Sequence, residues 1–186
     1  MEPPSPLVID NFLPQPVFTQ MQETIMSTGS PWFYSNCIDY NDESEADDVT
    51  KFQFYYLFYE GDRWLGVQDV VAPLMSRLNY LSLLRVKANL QPRSSELTLN
   101  SFHIDLTAYQ NPEHVTAVYY LNTCDGETVF EIGKKVKSVA NRIVMFPGSM
   151  PHAGTSVTDS KVRCLLNINF IQKVDSRWIP PTYRLS

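Results

Sequence analysis

The chain has 186 residues, 44% of them hydrophobic, which suits a single domain with a sizeable core. Its net charge of −5 argues against a protein built mainly to grip nucleic-acid phosphates, although a local basic patch stays open. Three cysteines (Cys37, Cys124, Cys164), an odd count at no metal-ligand spacing, argue against a disulfide framework and for a reducing compartment.

The opening "MEPPSPLVID" lacks the basic and apolar regions of a signal peptide, and no apolar run approaches membrane-spanning length. The expectation is a soluble, cytoplasmic protein without a membrane partner. "LVIDNFLP" reads as a short strand ended by Pro14. A helix follows over 14–29, with Phe18, Met21, Gln22 and Ile25 on one face, Pro16 in the first turn and Gly29 as the C-terminal cap. "PWFYSNCIDY" reads as extended. "NDESEADD" carries five acids in eight residues and reads as a solvated loop, because calcium ligation would need acids at alternate positions closed by a distal glutamate.

"KFQFYYLFYE" reads as an aromatic strand belonging to the core. "VQDVVAPLMSRLNYL" has helical spacing at Val67, Val70, Val71, Leu74 and Leu78, with Pro73 marking a kink or a later start. From residue 82 the pattern changes to seven short β-rich segments: "SLLRVKANL", "ELTLNSFHID", "HVTAVYYLN", "ETVFEI", "KVKSV", "NRIVMFPG" and "VRCLLNINFI". Helices early and strands late predict an α+β, mainly β fold: an antiparallel barrel or sandwich backed by N-terminal helices. No linker or repeat divides the chain.

Within "SFHID", His103 and Asp105 are two apart, so a strand would point both to one face. Alone they read as a hydrogen-bonded pair. His152 lies in "MFPGSMPHAGTSV", just past a turn. Two histidines and one carboxylate with an open opposite face make the facial triad of non-haem Fe(II) oxygenases. Eleven residues on, Arg163 shares a strand face with Leu165, Asn167 and Asn169. A guanidinium buried in a barrel calls for an anion, and its planar fork matches a carboxylate. His114 reads as exposed at a strand start, Arg142 as a rim charge, Glu127 as turn structure, and Cys164 as a buried thiol facing away from the site.

The segment 84–172 resembles the double-stranded β-helix (jelly-roll, cupin-like) core of the Fe(II)/2-oxoglutarate-dependent dioxygenases. It is most similar to their prolyl-hydroxylase-like branch and its bacteriophage relatives. The likeness rests on His103-x-Asp105, "YYLN", "DGETVF", "NRIVMFPGSMPH" and "KVRCLLNINF", with "VIDNFL" plus helix as the lead-in. It implies one dioxygenase domain over 1–186, with His103, Asp105 and His152 as iron ligands and Arg163 on the distal carboxylate of 2-oxoglutarate. It makes Tyr120 and Asn89 candidate cosubstrate contacts, Tyr120 because it alternates with Thr116 and Val118. Asn89 stands where many prolyl hydroxylases have a tyrosine, and Asn169 where some relatives have a bulky aromatic. Both departures bear on prolyl specificity.

The implied cofactors are Fe(II), 2-oxoglutarate as cosubstrate and O2, with ascorbate a candidate reductant. The implied activity is hydroxylation of a peptide, prolyl or small-molecule substrate, selected by loops at 31–50, 92–100 and 106–114. The alternatives are a nucleobase demethylase using a patch of Arg85, Lys87 and Arg93, a cupin-like metal enzyme without 2-oxoglutarate, and a non-catalytic metal-binding module. Oligomeric state is not legible in the chain.

Overall fold

A computed structural model describes residues 5–38, 48–106, 111 and 113–172. Most of the acidic run (42–48) lies outside these residues, as do parts of the loops 31–50 and 106–114. Of that run Asp48 is described, and its Oδ1 accepts bonds from the Thr50 amide and hydroxyl, closing a local turn.

Strand β1 (Leu7–Ile9) leads into helix α1 (Gln15–Ile25), which buries Phe18, Met21 and Ile25 as their spacing predicts. Gln22 is half-buried, and its side-chain amide bonds the Leu121 carbonyl. The helix stops before Gly29: Met26 is the cap, its amide satisfying the Gln22 carbonyl. Then come β2 (Phe33–Ser35), β3 (Gln53–Glu60), β4 (Arg63–Trp64) and α2 (Gln68–Met75), which contains Pro73. Val71, Leu74 and Met75 are the buried face of α2; Val67 is exposed because the helix begins after it.

The strand train is β5 (Ser82–Pro92), β6 (His114–Tyr120), β7 (Glu127–Phe130), β8 (Lys135–Lys137), β9 (Ile143–Pro147), β10 (His152–Gly154) and β11 (Val162–Ile171). The large antiparallel sheet runs β1-β9-β6-β11-β5-β3-β2, with β4 paired to β3, and the small sheet runs β10-β7-β8. This is a mainly β jelly-roll with few N-terminal helices, as the resemblance implies and in keeping with the antiparallel barrel or sandwich that the strand pattern predicts. One face of the large sheet packs on both helices through Val86, Ala88, Ala117, Tyr119, Cys164, Leu166 and Ile168. The other face meets the small sheet through Val118, Tyr120, Phe130, Val144, Phe146 and Leu165. The period of two sorts each strand between the layers: Cys164 goes under the helices, Arg163 and Leu165 toward the interior.

"ELTLNSFHID" is not a strand. It runs beside residues 152–156 with only two isolated bridges, Leu99↔Thr155 and His103↔His152. Its partner is the short β10, which local pattern does not reveal.

Asn141 ties the helical layer to the sheet. It is buried at φ 64°, a left-handed conformation that asparagine tolerates better than most residues. Its Oδ1 accepts from the Leu13 amide (2.9 Å) and the Tyr119 hydroxyl (2.6 Å), and its Nδ2 donates to the Leu13 carbonyl (2.8 Å). Asn141→Ala is expected to lose about 2–4 kcal/mol of stability, from stranded buried donors and a strained alanine. Denaturant unfolding checks this; a loss under about 0.5 kcal/mol, the range of ordinary surface changes, would show that the node does not hold the layers together.

Candidate metal and cosubstrate site

His103, Asp105 and His152 converge, each offering a ligand atom within 4.8 Å of the others. They meet by a different route from the one an alternating strand predicts. His103 and His152 exchange both backbone bonds (2.9 and 3.0 Å) as a bridge pair, which places their side chains together; the ring centroids are 4.7 Å apart. Asp105 lies in the turn beyond the bridge.

The imidazoles are oriented by carbonyls. His103 Nδ1 lies 3.2 Å from the Ser101 oxygen, and His152 Nδ1 lies 3.1 Å from that of Met150. A carbonyl can only accept, so each Nδ1 carries the proton in these bonds, and in the neutral ring the lone pair lies on Nε2. These Nε2 atoms face Asp105 at 4.0 and 3.8 Å. Two lone pairs and a carboxylate aimed at one point suit a cation, and carbonyl-oriented histidines are the usual support of metal ligands.

Asp105 is itself held. Arg85 meets Oδ1 at 3.1 Å, and the amides of Asn167 and Asn169 reach Oδ2 at 2.8 and 3.3 Å. Burial raises its pKa, but the surrounding His152, Arg85 and His103 outweigh it and hold the carboxyl well below its usual range. Arg85, on β5, escaped sequence reasoning as a site residue, although the alternation Arg85, Lys87, Asn89, Gln91 in "RVKANLQ" carries the signal.

The triad opens on a cavity of about 150 Å³ that also reaches Arg163, Asn89, Thr128, Gly154, Val118 and Leu165. Arg163 is 6% exposed. Its Nε donates to Ser138 Oγ (2.9 Å), and its NH2 donates to the Glu127 carbonyl and Thr128 Oγ1 (both 3.2 Å). Glu127 thus serves Arg163 through its backbone. Two glycines make room for the guanidinium: a Cβ on Gly126 would lie 2.5 Å from Arg163 Cδ, and one on Gly154 2.9 Å from NH1. A cation seated so closely beside an open cavity fits an anionic group entering that cavity.

Tyr120 shares the inner face of β6 with Val118, yet it is fully buried and does not line the cavity. Its hydroxyl donates to Thr128 Oγ1 (2.7 Å), and its ring lies 5.9 Å from the Arg163 guanidinium carbon. It stands behind the arginine. Asn89 does line the cavity, and its buried Oδ1 has no partner among the described residues. An amide flip would present a donor there instead.

His114, expected at the surface, is 2% exposed. β6 is flanked by β9 and β11, so all its residues are buried, and the His114 ring packs on Gly148, where a Cβ would lie 2.1 Å from Nδ1. Burial lowers its pKa, and it is not part of the ligand cluster. Arg142 pairs with Asp10 at the rim, and Cys164 sits in the helix-side core, its thiol pushed up to about 12 by burial. Arg85 and Lys87 turn into the cavity, whereas Arg93 bonds the Thr158 carbonyl at the end of β5, so the three form no common surface patch.

The jelly-roll sheets and the two-histidine, one-carboxylate cluster are the arrangement used by mononuclear metal oxygenases. The model of the 2OG-Fe(II) oxygenase superfamily matches residues 96–171, which contain all three cluster residues and Arg163. Over that segment the chain is similar to that superfamily, and the cluster on this fold supports a catalytic, iron-binding enzyme. No curated protein sequence matches the chain.

Solved structures share its fold. The non-heme alpha ketoglutarate dependent epimerase SnoN from nogalamycin biosynthesis is 10% identical at a TM-score of 0.64, with 89% of this chain and 76% of that chain covered. A Pseudomonas putida prolyl-4-hydroxylase is 16% identical at 0.55, covering 90% and 92%. A Trichoplax adhaerens prolyl hydroxylase, solved with a hypoxia inducible factor peptide fragment, is 20% identical at 0.57, covering 89% and 83%. At these identities the likeness is one of fold. Among the described residues no helix is long and apolar enough to cross a membrane.

Proposed function

We propose that His103, Asp105 and His152 hold Fe(II), that Arg163 receives the distal carboxylate of 2-oxoglutarate, and that residues 1–186 act as one hydroxylase domain on a peptide, prolyl or small-molecule substrate. The observation that carries this reading is the triad itself: three ligand atoms within 4.8 Å, opening on a cavity that also contains a buried guanidinium. Iron and 2-oxoglutarate together supply oxidative decarboxylation coupled to C–H hydroxylation: cosubstrate, O2 and R–H become succinate, CO2 and R–OH.

The chain's own residues bind, orient and exclude water. The Ser101 and Met150 carbonyls fix the tautomers of both histidines. Arg85, Asn167 and Asn169 keep Asp105 ionised and aimed. Ser138, Thr128 and the Glu127 carbonyl set the fork of Arg163, with Tyr120 behind it. Asn89 offers its amide to the cosubstrate from the cavity wall. Val118 and Leu165 supply the apolar wall along the cosubstrate's methylenes. The prolyl hydroxylases among the similar folds support a peptide substrate, and the epimerase supports a small molecule.

Uncoupled turnover tests the reading without a known substrate. Given Fe(II), 2-oxoglutarate and O2, the protein is expected to release succinate slowly, faster with ascorbate present. The release should stop in Asp105→Ala and speed up when a true substrate is supplied. A panel of proline-containing peptides, amino acids and methylated nucleotides would then separate prolyl from nucleobase chemistry. No succinate from folded, iron-loaded protein across that panel would favour a non-catalytic metal-binding module.

A further inference from the structure

Asn100 stands between two cavities. It lines the one that holds the triad and Arg163, and also a second of about 420 Å³, on whose wall Lys51 lies. It is 5% exposed. Its backbone amide bonds the Gly154 carbonyl (3.0 Å), which fixes it opposite the glycine that lies against Arg163.

The two ends of its side chain face different surroundings. From the side of the second cavity, Lys51 Nζ donates to Oδ1 at 2.7 Å. An ammonium has donors only, so the atom that it meets is the oxygen; turning the amide round would set N–H against N–H. Nδ2 is therefore the atom directed away from Lys51. It is buried and has no acceptor among the described residues. Buried N–H groups are nearly always paired, because one without an acceptor keeps the full cost of leaving water.

The position of Nδ2 selects its acceptor. A Cβ on Gly154 would lie 3.9 Å from Asn100 Nδ2 and 2.9 Å from Arg163 NH1, so the two nitrogens flank one glycine. Ser138, Glu127 and Thr128 take the bonds of Nε and NH2, and NH1 is the guanidinium nitrogen on the Gly154 side. Two donors beside one open cavity, one of them charged, suit an acceptor with two oxygens. A single carboxylate supplies both.

Resting on the function proposed above, we infer that Asn100 is a cosubstrate-binding residue, its Nδ2 donating to the distal carboxylate of 2-oxoglutarate beside Arg163 NH1. Arg163 supplies the charge. Asn100 supplies a neutral donor that fixes how the carboxylate is turned.

The protein is loaded with Zn(II), which binds without turnover, and 2-oxoglutarate affinity is measured first in the unaltered chain. The Asn100 side-chain amide signal is then followed by NMR, assigned by its loss in Asn100→Asp. 2-Oxoglutarate is expected to shift this signal. 2-Oxopentanoate, which has the same 2-oxo acid end but no distal carboxylate, should leave it in place. Asn100→Ala should bind 2-oxoglutarate at least about 10-fold more weakly, the loss of one hydrogen bond to a charged group, with Zn(II) affinity kept. Asn100→Asp keeps the shape and the bond from Lys51 but turns an oxygen to the carboxylate, so it should weaken binding at least as much. This near-isosteric variant and the signal of the unaltered chain decide the matter even where the alanine variant folds poorly. Unchanged 2-oxoglutarate affinity in either folded variant overturns the inference. So does a signal that 2-oxoglutarate leaves unmoved, or that 2-oxopentanoate moves as far. Failure of the unaltered chain to bind Zn(II) and 2-oxoglutarate, read before any variant, overturns the functional reading and this inference with it.

Discussion

His103→Ala and His152→Ala are each expected to abolish stoichiometric Fe(II) binding, while His114→Ala keeps it. Each triad histidine supplies one of only three protein ligand atoms, and its loss exceeds the roughly 10–100-fold that removing an outer partner of a metal site costs. His114 also lies in the interior, so burial alone does not distinguish the three histidines. Orientation does: His103 and His152 have Nδ1 tied to a carbonyl and Nε2 directed at Asp105, whereas the His114 ring packs on Gly148 outside the 4.8 Å cluster. His114→Ala should instead cost stability, on the order of 2–5 kcal/mol for emptying a buried ring site. Metal titration by calorimetry, with a thermal melt of each variant, separates the two effects. Full iron stoichiometry in His152→Ala, or its loss in a folded His114→Ala, would sink the assignment.

Arg163→Ala is expected to weaken 2-oxoglutarate by about 2–5 kcal/mol, roughly 30- to 5,000-fold in dissociation constant, with little change in iron affinity. The guanidinium is seated by Ser138, Thr128 and the Glu127 carbonyl, in space that Gly126 and Gly154 leave open. A bound carboxylate would thus meet a donor already oriented for it, and little ordering cost remains at binding. Arg163→Lys should recover part of the loss, since charge survives but the fork that reaches three acceptors does not. Anaerobic titration of 2-oxoglutarate into the metal-loaded variants reads this directly, and the lysine variant guards against misfolding. Wild-type affinity in Arg163→Ala would move the cosubstrate's carboxylate elsewhere.

Much of this enzyme is legible in its chain because strand periodicity is a local property. In "VRCLLNINF" the polar residues Arg163, Asn167 and Asn169 fall on one parity, and a strand's period of two then divides Arg163, Leu165 and Asn167 from Cys164, Leu166 and Ile168, the inner face from the helix-side core. Phe18, Met21 and Ile25 likewise announce the buried face of α1. The ligand types and their order, histidine, aspartate, histidine and then arginine, are also written in the chain.

Tertiary structure decided how those residues meet. His103 and Asp105 do not share the face of a regular strand; a bridge between His103 and His152, far apart in sequence, gathers the triad. No local pattern encodes that pairing, because its hydrogen bonds are backbone bonds indifferent to side chain. His114 is buried because β6 lies between two other strands, a fact of sheet order rather than composition. The partners of Asp105 come from β5 and β11, and the partners of Arg163 from β7 and the segment after β8. A polar residue's sequence shows what it can bond; only the packed sheets determine which charge lies within reach, because Coulomb attraction and hydrogen bonding act through space over a few ångströms and take no account of separation along the chain.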